Sequence, residues 1–422
     1  MNNEKFLKLL FKAYYENKQE QIPLISSFKR REFAFIPWNK NIMIRHIGFE
    51  KPANFKQYLI QKIPRHVYSS GALYQDPNSS TMDTKGFEGC DLIFDIDVDH
   101  FYTPCKEDHD LWKCKECSMM GRGMADKCDK CDSKKIEKLA WICDRCLDSA
   151  KQEIFKLLYD FLFPDFGIKE QEIKIAFSGH RGYHLKIENE KMRTLSGDQR
   201  RELVDYVRGQ NLSFEILGLT KVSQNIFGLN RANKGWSRKI IEKIKHLLSQ
   251  PNEKIVDKMI SFGIMENAIE NFLKSKEDFL QTLLNNKTNL WNISGFAMTR
   301  WKKFLRGIVD EIGAEIDEPV TIDIHRLIRY PGSLHGKTGF KVQELALSEL
   351  ESFNPLDESN KALNPIVFES STNSQKVKIT YDEVPLTKIK GKSYGPYLKD
   401  DVLEIPNHIA VFLICKGVAQ II

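Results

Sequence analysis

No apolar run in this chain of 422 residues approaches the ~18 that a membrane-crossing helix needs, so a membrane-embedded protein is not expected. Charge of one sign is also in short supply. The 63 basic residues stand against 57 acidic ones, and a net charge of +6 is too mild at this length to mark the whole surface as a polyanion binder. Isolated cysteines are few: of nine, six fall in three CxxC pairs between Cys114 and Cys146. That grouping argues for metal binding and against a disulfide framework. Cys90 and Cys415 stand apart and read as ordinary packed thiols. No internal repeat is present beyond the CxxC spacing, so no repeat architecture is expected. At the N-terminus, Glu4, Lys5, Lys8 and Lys12 interrupt Phe6, Leu9, Leu10, Ala13 and Tyr14 at helical spacing. This predicts an amphipathic helix and not a signal peptide, and the protein is expected to stay in the cytoplasm where it is made.

What is present fits a globular protein, with 41% hydrophobic and 28% charged residues and a length suited to two or three structural units. Residues 1–104 combine the first helix with short strands, among them Arg31 to Ile36 and Asn41 to Phe49, and close on the acidic phrase LIFDIDVDH. Residues 105–146 lose hydrophobic periodicity and read as an insertion folded by metal. Residues 147–197 return to the core with a helical stripe (Ile154, Leu157, Leu158, Phe161, Leu162) and a β-hairpin, IKIAFS to YHLKI. Residues 198–303 read as a helical subdomain. Residues 304–350 regain strand character at Val320 to His325 and Gly339 to Leu345, and residues 351–422 read as a linker and C-terminal tail. The core is therefore expected to be discontinuous in sequence.

In LIFDIDVDH, alternation puts Leu92, Phe94, Ile96 and Val98 on one face and Asp95 and Asp97 on the other, roughly 7 Å apart. Two carboxylates facing one space repel each other unless a divalent cation such as Mg²⁺ or Mn²⁺ takes them as oxygen ligands. Asp91 and Asp99 share that parity, so part of the run is open to reading as solvated strand edge. By the same logic the TIDIH phrase offers Asp323 as a third carboxylate, enough for two ions roughly 3.5–4 Å apart. A surface residue is the alternative for Asp323. In SGHRGYH, Gly179 and Gly182 permit a tight turn that converges Ser178, Arg181 and His184, a set suited to phosphate oxygens. Arg326, Arg329, His335 and Lys337 surround the Pro331 and Gly332 turn and add cations beside Asp323. A nucleoside triphosphate and its metal need this adjacency.

These phrases, in this order and with a cysteine-rich element between the first two, resemble the small catalytic subunit of archaeal and eukaryotic DNA primase, in its archaeal form. The resemblance covers most of residues 25–345. It implies an α/β fold, a mixed-sheet archaeo-eukaryotic primase catalytic core with a zinc-binding insertion and a helical subdomain. It implies de novo, template-directed synthesis of short RNA or DNA primers on single-stranded DNA by two-metal nucleotidyl transfer. By the family pattern, Asp95, Asp97 and Asp323 hold Mg²⁺ or Mn²⁺, and Ser178, Arg181, His184, Arg329 and His335 contact the incoming NTP or dNTP. The partners implied are a primase large subunit and the template. No role is carried onto His180, where the eukaryotic pattern has a second arginine.

Cys114-x2-Cys117-x10-Cys128-x2-Cys131 is a four-cysteine zinc signature. The resemblance adds Cys105, His109, Cys143 and Cys146 as a second Zn²⁺ site, so two structural zinc ions are expected. A single zinc bound by Cys114, Cys117, Cys143 and Cys146 is the competing arrangement. Two other functions share parts of this pattern: a repair or end-joining primase-polymerase, and a non-catalytic zinc-bearing nucleic-acid-binding protein.

Overall fold

The structure, a computed structural model, describes residues 2–231, 234–285, 289–357, 361–369 and 374–422. The chain divides into two compact units: Met1–Ile154, Glu170–Arg200 and Ile316–Ile422 form the first, and Phe155–Lys169 with Arg201–Glu315 the second. No helix among the described residues is long and apolar enough to cross a membrane.

The first unit is built on strands β1 (Phe33–Ile36), β2 (Ile44–Ile47), β3 (His66–Ser70), β4 (Leu92–Asp97), β5 (Ile173–Phe177), β6 (Gly182–Ile187), β7 (Leu327–Arg329) and β8 (Gln343–Leu345). They form two four-stranded antiparallel sheets, ordered β7-β3-β1-β2 and β8-β5-β6-β4. The hairpin expected from IKIAFS and YHLKI is β5–β6, paired from Ile173 opposite Ile187 to Phe177 opposite Tyr183. Aromatic residues of one parity on β1, Phe33 and Phe35, join Phe55 and Tyr330 in the core: Phe33 lies 4.9 Å and Tyr330 4.7 Å from the Phe55 ring. The N-terminal helix Asn3–Asn17 is capped by Asn2 and buries Phe6, Leu7, Phe11, Tyr14 and Tyr15. Tyr14 donates to the Gly332 carbonyl at 2.7 Å and Tyr15 Oη accepts from Leu334 N–H at 3.3 Å, which fastens the Pro331–Gly332 turn.

Asp91, just before β4, is fully buried and takes Arg31 and Arg193 at 2.6 Å each. It is thus a core ion pair and no part of a solvated edge. Removing it strands the Arg31 guanidinium in an interior where it is 0% exposed. Asp91→Ala is therefore expected to cost about 3–5 kcal/mol, measured as a shift in the urea unfolding curve, and a loss under about 1 kcal/mol would put the pair in the class of adaptable surface contacts.

Residues 105–146 fold as helix Lys106–His109 followed by strands Leu111–Cys114, Met120–Arg122 and Ile136–Leu139, the first of these strands in the middle. Trp112, Cys114 and Cys128 make its small core.

Two sequence expectations are corrected. Val320 to His325 is not a strand: Glu318–Ile322 is a short helix with Asp323 at its C-terminal cap, and pairing with β3 starts only at Leu327. Pro319 stands in the first helical turn, where its fixed φ and missing N–H favour a helix start. Nor is the described chain from Ser374 onward a tail. Ser374–Ile379 pairs with Val402–Pro406 and Ala419–Ile421, and the helix Asn407–Cys415 buries residues from Ile409 to Ile414 all round. An apolar run with no polar face has to be enclosed, and here Phe412 stacks on Phe340 at 5.6 Å.

The second unit is helical, with Gly235–Leu248, Asn252–Ser261, Glu266–Lys274, Lys276–Leu284 and Met298–Ile312 around Phe272, Phe279, Trp291 and Trp301. The two indole rings lie 4.9 Å apart.

Candidate catalytic and metal sites

On β4, Leu92, Phe94 and Ile96 are buried and Asp95 and Asp97 half-buried, as a period of two requires. Asp95 lies opposite His184 on β6, and Asp97 opposite Gly182. A Cβ at Gly182 would run into the Ile96 carbonyl, so glycine lets the two strands close beside Asp97. Beyond Asp97 the chain leaves the sheet in the turn Val98–His100, where the Asp97 carboxylate accepts the Asp99 N–H at 2.9 Å.

Burial, with repulsion from Asp97 and Asp317, pushes the Asp95 pKa up to about 8. Burial and Asp99 likewise raise Asp97. His184 Nε2 is 3.5 Å from Asp95 Oδ1, and burial with Arg329 and Arg326 pushes this imidazole down to about 3, so it is neutral. Its Nδ1 is buried without a hydrogen-bond partner, an unspent polar atom beside the acidic strand. Asp95, His184, Asp323, Arg326, Arg329 and Tyr68 line one cavity of about 370 Å³.

Asp323 is exposed and its carboxylate accepts His325 N–H at 2.8 Å. A second carboxylate, which sequence reading missed, also stands beside the pair. Asp317 donates its backbone N–H to the Asp95 carbonyl at 2.9 Å, is among the charges that raise Asp95, and lies 3.6 Å from His100 Nε2. The available signal was the acidic pair Asp317 and Glu318 just before the helix-starting Pro319, a cue that strand parity does not register. Among the described residues, the ligand atoms of Asp95 and Asp97 do not gather with those of Asp317 or Asp323 within 4.8 Å, whereas those of Asp97, Asp99 and His180 do.

The turn after β5 closes through Ser178 N–H to the Gly182 carbonyl at 2.9 Å, and Ser178 Oγ accepts His180 N–H at 3.3 Å. Gly179 has φ +81°, and a Cβ there would meet His335. Of the residues expected to contact nucleotide, His184 and Arg329 share the cavity with Asp95. Ser178 and His335 are buried outside its lining, His335 between the rings of His66 at 5.0 Å and His180 at 5.3 Å. Arg181 is committed elsewhere: it pairs with Asp99 and with Asp110 (2.8 Å), and donates to the Trp141 carbonyl (2.9 Å). Here it braces the turn against the cysteine-rich element.

That element brings Cys105, His109, Cys143 and Cys146 together, and separately Cys114, Cys117, Cys128 and Cys131, each set within 4.8 Å. The Cys105–Cys146, Cys143–His109, Cys114–Cys131 and Cys117–Cys128 contacts span 3.3, 3.2, 3.6 and 3.5 Å. A tetrahedral zinc with 2.3 Å Zn–S bonds has sulfur edges of about 3.8 Å, so both sets could hold one. The single site drawn from Cys114, Cys117, Cys143 and Cys146 does not form, because its cysteines belong to different clusters. His109 turns its other nitrogen, Nδ1, to Asp110 at 2.9 Å, the carboxylate partner that orients a ligating imidazole.

Residues 125–346 match the DNA primase small subunit family. The DNA primase small subunit PriS of Methanosarcina acetivorans is 31% identical, over 98% of this chain and 96% of its own. That of Archaeoglobus fulgidus is 32% identical over 98% of each chain, and that of Nitrosopumilus maritimus 29% identical over 99% and 98%. The chain belongs to the DNA primase small subunit family. The family segment takes in Ser178 to His184 and Asp317 to His335, while Asp95 and Asp97 fall in the part matched by the full-length primase relatives. The helix and antiparallel-sheet architecture with its cysteine clusters agrees with a primase small-subunit fold.

Proposed function

We propose that this chain is a DNA primase catalytic subunit, a DNA-directed nucleotidyltransferase that makes short primers de novo on a single-stranded DNA template from NTPs or dNTPs. The observation that carries the reading is the shared cavity in which the Asp95 carboxylate meets neutral His184 and the Arg329 guanidinium. Mg²⁺ or Mn²⁺ bound there would activate the primer hydroxyl and neutralise the triphosphate. The chain's own residues do the rest. Asp95 and Asp97 present oxygens from a fixed strand face, and Arg329 offers a charge-assisted contact to phosphate. Neutral His184 has a spare nitrogen to hydrogen-bond a phosphate oxygen without adding charge. Two zinc ions would be structural, with every position of each tetrahedron filled by protein. A large subunit is the proposed partner.

Incorporation of labelled nucleotides on single-stranded DNA, with and without an annealed primer, tests the reading. Unprimed products identify a primase. Extension of a primer alone, persisting after a large subunit is added, would point to a repair polymerase, and no incorporation would reject the proposal.

Asp317 is the third carboxylate proposed, because its backbone N–H binds the Asp95 carbonyl and its charge raises Asp95. Asp317→Ala is expected to lower incorporation at least ~100-fold and Asp323→Ala less than ~10-fold, in parallel assays on folded, zinc-replete protein. The reverse order would return the role to Asp323.

A further inference from the structure

The buried helix Asn407–Cys415 delivers Lys416 to the Ser178–Gly182 turn of the first unit. Its ammonium donates to the Ala140 carbonyl at 2.7 Å and to His180 Nε2 at 2.8 Å. Both partners are neutral, and among the described residues no carboxylate lies within ion-pair distance of this lysine. An ammonium has three N–H donors, so one is left for a further acceptor. The rings of Trp141 and Phe412 flank the nitrogen at 5.8 and 5.7 Å.

The contact with His180 determines more than one side chain. Because Nε2 accepts, the His180 proton sits on Nδ1, and the ring is held in one tautomer and one plane. That ring stacks on His335 at 5.3 Å and 15°. His335 in turn meets His66 edge-on at 5.0 Å, and His66 Nδ1 takes Arg329 at 2.7 Å. A continuous file of side chains therefore runs from the C-terminal helix to the arginine that lines the Asp95 cavity. Burial, with Arg181 and Lys337 nearby, pushes Lys416 down to about 7 even though Asp99 and Asp110 oppose the shift. Positive charge is in excess here, a condition that a bound polyanion relieves.

We infer that Lys416 is a positioning residue for the nucleotide: it holds His180 against His335 and adds positive charge behind Arg329, the guanidinium that lines the Asp95 cavity. The inference rests on the nucleotidyltransferase reading, and the test separates the two. Binding of ATP is measured by calorimetry, and incorporation by primer extension, for the wild type, Lys416→Gln, Lys416→Arg and Asp95→Asn. Glutamine keeps a donor toward His180 without the charge, and arginine keeps the charge.

Lys416→Gln is expected to weaken ATP binding about tenfold and raise the nucleotide KM to match, with kcat within about twofold, unchanged zinc content and recovery in Lys416→Arg. Equal ATP affinity in Lys416→Gln and wild type overturns the inference and leaves the enzymatic reading standing. Wild type that binds ATP but incorporates nothing overturns the reading, while the affinity ratio still decides the inference. A variant that loses zinc and kcat together gives Lys416 a merely structural role, which also overturns the inference.

Discussion

Asp95→Asn is expected to abolish nucleotide incorporation, by at least ~10³-fold, and yet to make the metal-free protein more resistant to heat at alkaline pH. The first effect follows from charge. Asparagine has nearly the same shape and keeps one oxygen, but it cannot supply the anionic ligand that a hard divalent cation selects. The second follows from the environment. Burial and the neighbouring Asp97 and Asp317 raise the Asp95 pKa from an ordinary 3.8 to about 8 in the folded protein. A carboxyl whose folded pKa lies above its unfolded value contributes stability that is fully present below the unfolded pKa and is lost as pH rises through the folded one. Wild type therefore loses this contribution on going from pH 4 towards 8 and beyond, and asparagine does not titrate. Thermal melts in chelator at pH 9 are expected to show the variant melting above wild type, with the difference shrinking as the pH falls. A variant that melts lower at every pH would mean that Asp95 is needed for folding, and its loss of activity would then say nothing about metal.

The parts of this site that were legible in the sequence are those governed by local geometry. Strand alternation alone puts Asp95 and Asp97 on one face, and β4 keeps that pattern to its last residue. Gly179 and Gly182 mark a turn because a Cβ has no room at either position. The CxxC pairs announce metal through spacing. What escaped depends on partners remote in the chain. The partners of Arg181 lie far from it in the chain: nothing near it in sequence shows that its guanidinium reaches Asp110 and the Trp141 carbonyl. Strand parity places Asp323, a rule that lapses where Pro319 starts a helix, and it does not register Asp317, which precedes that helix. The C-terminal segment read as a tail because polar residues dominate it up to the final apolar run. Only the fold shows that this run is enclosed beneath Phe340 and Trp141.

The two cysteine clusters differ in how they connect to the acidic strand, so their removal has unequal consequences. Asp110 accepts from His109 Nδ1 at 2.9 Å, from the Trp141 N–H at 2.9 Å and from Arg181 at 2.8 Å. Arg181 also pairs with Asp99, two residues beyond Asp97. The cluster Cys105, His109, Cys143 and Cys146 is thus linked to the Ser178–Gly182 turn through a single carboxylate. Cys114, Cys117, Cys128 and Cys131 enclose only the small core around Trp112. Native mass spectrometry is expected to find two zinc ions in wild type and one each in Cys146→Ser and Cys117→Ser. Cys146→Ser frees His109, and Asp110 loses the partner that sets its orientation. Disturbing such a support typically costs about 10–100-fold in activity, so incorporation is expected to fall by that amount. Cys117→Ser leaves Asp110, Arg181 and β4 untouched, and incorporation is expected to stay within about threefold of wild type. One zinc in wild type would remove the second site. If Cys117→Ser silenced the enzyme as fully as Cys146→Ser, the link through Asp110 would not be what joins zinc to activity.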